Sequence, residues 1–321
     1  MACPISLPAE PPTSTSIADD TEVIVPPDSL TAEMVGHWTY LILEGAAFLM
    51  QGMHPVIGEV VERYSAAYTD PGGRAIRSVD SVLRWTYGGL EAVKEGDRVR
   101  SMHEPLTMRS AETGKQISAL NPQAYQWVIA TAYITTIKAG PLLIGREFTT
   151  AEREELLRDN RRLARLLHVP MKGYPASDDE FDSYFDRMVS EVLVATPRTL
   201  ESIEIMRTGN IEIPRKIPAF AHGLYRAAAK PGLTFTYLSI AGLLDPRLRT
   251  MIGIEWTAAE QHRLERIYAI IRSAYRVLPE RLTYFPLAYH ARKHHRCIEK
   301  MRKREEKSWA YRVRPKQPLH H

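Results

Sequence analysis

The first candidate for chemistry in this sequence is a histidine that follows an arginine by three residues. The run Val99-Arg100-Ser101-Met102-His103 holds both residues, and Pro105 comes two positions later. Residues three apart share one face of a helix, so the imidazole and the guanidinium would lie on the same face. An imidazole nitrogen can ligate haem iron, and a guanidinium can pair with a haem propionate. Spacing alone favours a plainer interpretation, in which His103 caps a kinked helix end and Arg100 lies in solvent.

The other histidines that could belong to a site are His54 and a cluster of three near the end of the chain. His54 precedes Pro55 directly after an apolar run, and a residue in that place more often forms part of a wall or cap than of a site. His290, His294 and His295 form the other group, and the first two are four residues apart on one helix face, a spacing that can bind a metal. Lysine and arginine surround them, at positions 292, 293 and 296. Because that charge opposes cation binding, we expect an exposed basic helix end there.

Common catalytic signatures are missing from the chain. It has no Walker-type glycine-rich loop, no dinucleotide fingerprint, no nucleophile elbow and no His-Glu-x-x-His zinc motif. A di-iron site in a helical bundle needs Glu-x-x-His, and no such run occurs. Two cysteines, Cys3 and Cys297, lie near opposite ends of the chain. A disulfide framework is therefore not expected, which fits a reducing compartment.

Composition and hydropathy are those of a globular chain. The 321 residues are 44% hydrophobic and 25% charged, which is ordinary for a globular protein. The most apolar stretch, residues 38–50, contains Glu44 and is shorter than the roughly 20 residues that span a bilayer. The N-terminus lacks the basic start and apolar core of a secretory signal. We therefore expect a cytoplasmic protein.

Helices must position these side chains, because helix signals dominate from Thr31 onward. Three later helices begin with capping boxes, in which Ser or Thr precedes Glu by three residues: Thr149–Glu152, Ser177–Glu180 (predicted to run to about Thr196) and Thr257–Glu260. Residues 107–118 predict a small hairpin, and no set of alternating β-branched runs predicts a large sheet. The predicted fold class is all-α, with a helix from about Leu90 to Met102, weakened by Gly96, that leads to His103.

Composition divides the chain into three parts. Residues 1–30 are rich in Pro, Ser, Thr and Asp, and we expect them to be disordered or draped over the surface. Residues 31–291 are expected to form a single large helical domain. Residues 292–321 form a basic tail, interpreted most simply as a solvated helix end. Peripheral contact with an anionic membrane is an alternative. Nucleic-acid binding is not expected, because Trp309 and Tyr311 make a poor base-stacking platform.

A series of short motifs runs in a fixed order from Leu43 to Arg292. In chain order they are Leu43-Glu44-Gly45-Ala46, Gln51 to Pro55, Asp70 to Arg74, Arg77-Ser78, Tyr87-Gly88, Arg98 to His103, Asn121-Pro122, Trp127-Val128, Leu163 to Pro170 and Leu278 to Leu282. This order and spacing resembles the family of bacterial rubber oxygenases (latex-clearing proteins) and fungal MpaB-type oxygenases, especially its short actinobacterial members. Each motif is weak alone, and the order carries the resemblance.

The resemblance implies an all-helical fold with a globin-like core and a b-type haem that one histidine holds. It also implies dioxygen-dependent cleavage of carbon–carbon double bonds in isoprenoid chains. On this basis His103 looks like the proximal iron ligand, and Arg100 looks like the arginine just before it. Arg74 is similar to a distal-side arginine. Arg77 and Ser78 stand where rubber oxygenases have a Lys-Thr pair, whose lysine ligates the iron.

The chain departs from the family pattern on the distal side. A guanidinium stays protonated near neutral pH and has no free lone pair, so Arg77 cannot replace a ligating lysine. The resemblance then implies an open distal side, with Arg74 and Arg77 polarising dioxygen and His54 lining the pocket. Many short members have histidine where this chain has Ile129 and Tyr64. Two candidates stand for the catalytic carboxylate: Glu59 and Glu62.

These residues and the resemblance predict a haem b-dependent oxygenase that uses dioxygen on an apolar, isoprenoid-type small molecule. The alternative is a non-catalytic helical protein of the same fold that binds lipid or haem. The lost family residues favour the alternative, and the retained Arg100–His103 pair favours the enzyme. Fold-level analogy does not fix a substrate.

Overall fold

The computed structural model describes residues 22–65, 70–211, 213 and 217–312. The helices, in chain order, are α1 (Leu30–Gly36), α2 (Tyr40–Gly52), α3 (Pro55–Tyr64), α4 (Pro71–Tyr87), α5 (Leu90–His103), α6 (Pro122–Leu143), α7 (Thr150–Leu166), α8 (Asp178–Arg187), α9 (Pro197–Thr208), α10 (His222–Leu243), α11 (Pro246–Met251), α12 (Ala258–Val277), α13 (Glu280–Thr283) and α14 (Pro286–Arg312). Two short antiparallel strands, β1 (Thr107–Arg109) and β2 (Gln116–Ser118), form the predicted hairpin. The all-α prediction is confirmed.

Local capping chemistry begins several of these helices. Thr149 and Thr257 form complete capping boxes, in which the hydroxyl accepts from the backbone of a glutamate whose carboxylate accepts in return. At Ser177 only the hydroxyl half forms, because the Glu180 carboxylate accepts from the Ala176 backbone at 2.8 Å instead. This helix, predicted to reach Thr196, ends at Arg187 and continues as a π-helical turn, Met188–Val192.

The core forms around α2 and α6. Trp127 and Tyr133 of α6 are fully buried, and the Trp127 indole donates to the Met50 carbonyl of α2 at 3.0 Å. One cluster of buried apolar side chains extends from Val25 to Ala288. Val25 is 1% exposed, so the packed part of the chain begins before the predicted boundary at residues 30 and 31. Residues 1–21 of the predicted N-terminal segment lie outside the described residues.

The turn at Gly88-Gly89 folds α4 and α5 into an antiparallel pair. Gly89 has φ +57°, a left-handed conformation that favours glycine. Residues equally far from the turn lie level with one another, and Ser81 of α4 accordingly donates to Glu95 of α5 at 2.7 Å. By the same register Arg74, 14 residues before Gly88, lies level with His103, 14 residues after Gly89. The open end of the α4–α5 pair therefore carries the predicted site residues of both helices.

Close backbone contact holds α5 against the end of α7. A methyl group added at Gly96 would lie 2.3 Å from the Leu166 carbonyl oxygen, so only glycine allows this approach. One residue further on, Asp97 pairs with His168 at 2.6 Å. Gly96 was expected to weaken α5 as a helix, and its tertiary effect is the opposite, since it lets the helix dock.

The C-terminal residues described form one long helix. α14 runs from Pro286 to Arg312, so residues 292–312 of the predicted basic tail continue the helix of the packed domain. Residues 301–308 of this helix are exposed. Across the described ranges no single helix has both the length and the apolarity to cross a bilayer, although the bent pair α2–α3, with 104° between its axes, meets that test.

Candidate active site

His103 is the last residue of α5 and is partly buried. Its Nδ1 lies 2.7 Å from the backbone carbonyl oxygen of Val99, one helical turn earlier. A carbonyl oxygen only accepts, so Nδ1 donates and carries the proton. The lone pair of the neutral ring is then on Nε2, the usual state of a metal-ligating histidine whose other nitrogen donates to a backbone carbonyl.

Arg100 is half-buried beside Tyr125 at the start of α6. Burial raises the pKa of Tyr125, and the Arg100 charge acts against that rise, which shows that the two groups are neighbours. The Tyr125 hydroxyl itself donates to the Leu167 carbonyl at 2.6 Å. Within the described part of the chain Arg100 has neither an ion pair nor a hydrogen bond through its guanidinium. Its charge is therefore available to pair with an anionic group of a ligand.

Arg74, in the first turn of α4, is also a half-buried cation. Burial lowers the pKa of its guanidinium, and the nearby Arg77 charge adds to that effect. An arginine still remains protonated after such a shift. No carboxylate among the described residues pairs with it. The open end of the α4–α5 pair thus holds two guanidinium groups without counter-ions, Arg74 and Arg100.

Arg77 has a different environment from the one predicted for it. Its side chain is 57% exposed and pairs with Asp70 at 3.2 Å. Asp70 also caps α4 by accepting from the Gly73 backbone at 3.0 Å, and this bond together with Arg77 lowers the pKa of the Asp70 carboxyl. Ser78, the other residue of the pair, donates to the Arg74 carbonyl oxygen at 3.0 Å. Arg77 therefore lies at the surface near the site, where its charge is paired with Asp70.

His54 is buried at the bend between α2 and α3, and it is 2% exposed. Neither ring nitrogen has a hydrogen-bond partner among the residues described. Burial lowers the pKa of His54 to about 4, so the ring is neutral at neutral pH. The other end of α3, about 15 Å away, contacts the hairpin through the Tyr64 hydroxyl and the Thr107 carbonyl. The length of α3 therefore separates His54 from the hairpin that follows His103.

The two candidate carboxylates are both engaged in structural contacts. Glu59 accepts from the Ser110 hydroxyl and from the Ala111 backbone, each at 2.8 Å, and so ties the hairpin to α3. Glu62 pairs with Arg198 of α9 at 3.4 Å. Neither carboxylate is a free general base in this structure. The prediction that one of them is the catalytic carboxylate gains no support from these contacts.

Sequence reasoning missed two buried carboxyl groups as points of interest. Glu95 of α5 is 4% exposed and accepts from Ser81 and from two arginines, Arg84 and Arg98. Glu44 of α2 is 8% exposed and has one oxygen without a partner in the described structure. A lone carboxylate inside an apolar helix was the available signal for Glu44. The partners of Glu95 depend on the register of two helices, which spacing within one helix does not reveal.

Comparison with known proteins places the chain in a family. The model of the family described as ER-bound oxygenase mpaB/B'/Rubber oxygenase, catalytic domain, matches residues 32–273. An uncharacterized protein of Mycobacterium bovis and one of Mycobacterium tuberculosis are each 27% identical to this chain over 176 residues. The match covers 55% of this chain but 64% of each relative, so the chain spans less than two thirds of their length. No solved structure matches it.

The family match takes in well over half of the chain and includes the whole of α2 to α11, with every predicted site residue. It also includes the open end of the α4–α5 pair, where Arg74, Arg100 and His103 lie. The resemblance inferred from the order of motifs is confirmed, and the chain belongs to the mpaB/rubber oxygenase catalytic-domain family.

Proposed function

We propose that this protein is a haem b-dependent oxygenase that uses dioxygen on an apolar, isoprenoid-type small molecule. The proposal rests first on His103, whose Nδ1 donates to the Val99 carbonyl and leaves Nε2 free to ligate iron. Membership of an oxygenase family supports the reaction class. The curated relatives are longer than the matched region, so the activity of the whole protein is part of the proposal.

The residues present fit a haem better than a metal held by side chains alone. Among the described residues there is no group of three or more His, Cys, Asp or Glu that would hold a metal ion. Haem needs only one or two protein ligands, because the porphyrin supplies the other four. The guanidinium of Arg100, which lacks a counter-ion in the described structure, suits a propionate, since arginine binds carboxylates through paired charge-assisted hydrogen bonds.

A bound haem would supply the iron that binds and activates dioxygen. His103 would orient the group, because its bond to Val99 fixes the ring and makes Nε2 a stronger donor of electron density. Arg74 is placed to stabilise negative charge that develops on an oxygen atom, and partial burial strengthens that effect. His54, neutral and without a partner, can donate or accept one hydrogen bond toward a ligand in the interior.

Arg77 takes a secondary role in this proposal. Its ion pair with Asp70 is exposed to solvent, which screens the attraction, so little stability is lost when the pair opens. Arg74 has no such pair to break. We therefore assign the first polarising role to Arg74, and Arg77 would join it only after leaving Asp70.

A non-catalytic haem- or lipid-binding protein of the same fold is the second candidate. Ile129 and Tyr64 replace histidines that many short members have, as the resemblance implied. Each oxygen of Glu59 accepts one hydrogen bond from the hairpin, which weakens that carboxylate as a base. This second candidate predicts bound haem without consumption of dioxygen.

An absorption spectrum of the protein expressed with a haem precursor tests the proposal. We expect a Soret band with near-stoichiometric haem in the wild type and its loss in His103→Ala. His262→Ala is the matched control, because His262 is 70% exposed on α12 and should leave the band unchanged. A colourless wild type, or an unaltered band in His103→Ala, would overturn the proposal. Dioxygen consumption with a polyisoprenoid then separates the enzyme from the non-catalytic candidate.

A further inference from the structure

A pocket lies on the side of α4 that faces away from α5. Ser81 faces α5, and Val79 and Leu83 each lie two residues from it, about 200° around the helix. These two side chains contribute to a pocket between α4 and α2, which Val35 of α1 and Phe285 also line. The pocket is therefore separated from His103 by the thickness of a helix.

The interior of this pocket is small and apolar apart from Glu44 and Tyr40. Its cavity volume is about 20 Å³, which is room for one water-sized group. Phe48 lines the pocket and is 39% exposed, so the cavity opens to the surface along that ring. A ligand could place a single polar atom inside and leave an alkyl chain along the mouth.

Glu44 is one of the two polar residues that line the pocket. The residue is 8% exposed, and its Oε2 has no hydrogen-bond partner in the described structure. Burial raises the pKa of Glu44 to about 7, so both protonation states are populated near neutral pH. A buried oxygen that lacks a donor is unusual in a folded protein and indicates a missing partner.

Tyr40, one turn before Glu44, forms a side-chain hydrogen bond with the Glu44 carboxyl, but Oε2 still has no partner in the described structure. Thr136 donates its hydroxyl proton to the Ala132 carbonyl at 2.8 Å. The Tyr40 hydroxyl, 2.7 Å from Thr136, must then donate to Thr136. A phenol has one proton, so Tyr40 cannot donate fully both to Thr136 and to Glu44. The requirement for a hydrogen-bond donor in the pocket remains open.

We propose that the Glu44 pocket binds a small apolar molecule that ends in one hydrogen-bond donor, a primary amine or a primary alcohol on a short alkyl chain. The donor bonds to Glu44 Oε2 in the cavity, and the alkyl part lies against Val79, Val82 and Phe48. This site is independent of haem and of the proposed oxygenase reaction.

Calorimetric titration of the full chain with three matched probes tests this proposal. 1-Hexanol, n-hexylamine and methyl pentyl ether have the same number of heavy atoms, and the ether lacks a donor. We expect the alcohol or the amine to bind at least tenfold more tightly than the ether. Equal affinity for all three probes, or no binding of any probe at millimolar concentration, would overturn the proposal.

The pH dependence distinguishes the two kinds of donor. An ammonium group needs the ionised carboxylate, so n-hexylamine should bind more tightly as the pH rises through about 7. An alcohol can donate to either form, and its affinity should change less. Tyr40 is the other titratable group that lines the pocket, and burial raises its pKa well above 10, so it does not titrate in this range.

Variants of Glu44 provide the second test. Glu44→Gln keeps an acceptor oxygen and should retain the alcohol while weakening the amine at least tenfold. Glu44→Met removes the acceptor, so this variant should no longer bind the alcohol or the amine more tightly than the ether. Glu112→Gln, on the exposed hairpin turn, is the control and should bind as the wild type does. Unchanged donor preference in Glu44→Met would also overturn the proposal.

Discussion

The two ends of the α4–α5 pair use the same residue types in opposite ways. At the closed end, next to Gly88-Gly89, Glu95 accepts from Ser81 at 2.7 Å and pairs with Arg98 at 2.6 Å and Arg84 at 3.3 Å. At the open end, Arg74 and Arg100 have no counter-ion in the described structure. Arg84 and Arg98 at the closed end are more exposed than the partly buried Arg74 and Arg100 at the open end, so exposure does not explain why the more buried arginines lack counter-ions. What separates them is whether the chain itself supplies the partner.

This difference indicates which polar groups stabilise the fold and which are available to bind a ligand. Hydrogen bonds with Arg98 lower the pKa of Glu95 to about 2, so its carboxylate is stabilised by the folded chain itself. A partly buried charge that the chain leaves unmatched is stabilised by solvent alone until an anionic ligand binds. Residues of the closed end should therefore affect stability, and residues of the open end should affect binding.

The largest expected effect on stability comes from Gly96, which sets the distance between α5 and α7. In Gly96→Ala the new methyl group would lie 2.3 Å from the Leu166 carbonyl oxygen, and both backbones would have to move apart. We expect the free energy of unfolding to fall by about 3 kcal/mol. Urea denaturation of the full chain measures this loss.

Gly223→Ala is the matched control for Gly96→Ala. Gly223 is also helical, and an added methyl group there meets nothing within 4 Å. Better helix propensity should make this control slightly more stable, by about 0.5 kcal/mol. If Gly96→Ala were as stable as the wild type, the close contact between α5 and α7 would be disproved.

Removal of the Glu95 charge should have the next largest effect. Glu95→Gln keeps the shape of the side chain but loses both ion pairs, and we expect a loss of about 2 kcal/mol at pH 7. Chemical denaturation measures it. Glu91→Gln on the same helix breaks only an exposed pair with Lys94 and should cost less than about 0.5 kcal/mol.

Glu95 should also account for part of the stability that the protein loses at acid pH. The folded pKa of Glu95, about 2, lies below its usual value of 4.5, so the unfolded chain binds the proton more readily. The stabilisation is present above about pH 5 and is lost as the pH falls from 4.5 toward 2. Glu95→Gln should therefore lose stability less steeply over that range. An unchanged pH profile would show that Glu95 is not stabilised by its partners.

Replacement of His54 should change stability in the opposite direction. Its two ring nitrogens are buried without partners, so His54→Leu should raise the free energy of unfolding by about 1 kcal/mol. Burial lowers the folded pKa of His54 to about 4, below its usual 6.5, so His54 costs more stability as the pH falls through that range. The gain should therefore be larger at pH 5 than at pH 8 in thermal denaturation.

His37→Leu is the informative control for His54→Leu. Burial lowers the pKa of His37 to about 4 as well, but its Nδ1 lies 3.3 Å from the Thr283 carbonyl, and its ring stacks on Tyr275. We expect this control to lose stability, because a satisfied bond and a ring contact disappear. A loss of stability in His54→Leu would contradict the interpretation that the ring nitrogens of His54 lack partners in the fold and are available to a ligand.

Local signals in the sequence predicted much of the fold and only part of the site. Thr149 and Thr257 were found because a capping box lies within four residues. Arg100 and His103 were found because three residues of spacing define one helix face. Three features of the site could not be predicted: the tautomer of His103, the ion pair of Arg77 and the partners of Glu95. They depend on contacts between chain segments or on exact backbone positions, which the spacing of residues in the sequence does not specify.

The smallest expected change in stability, and the sharpest test of the comparison, comes from the arginines of the open end. Arg100→Ala should alter the free energy of unfolding by less than about 0.5 kcal/mol, because no hydrogen bond or ion pair to a described residue is lost. Arg98→Ala, two residues earlier on the same helix, should cost about 1 kcal/mol, since it removes two bonds to the buried Glu95 carboxylate. Haem affinity should show the reverse order, with about a tenfold loss in Arg100→Ala and no change in Arg98→Ala. If Arg100→Ala destabilised the fold as much as Arg98→Ala, the open end would be structural too, and its free charges would no longer indicate a ligand.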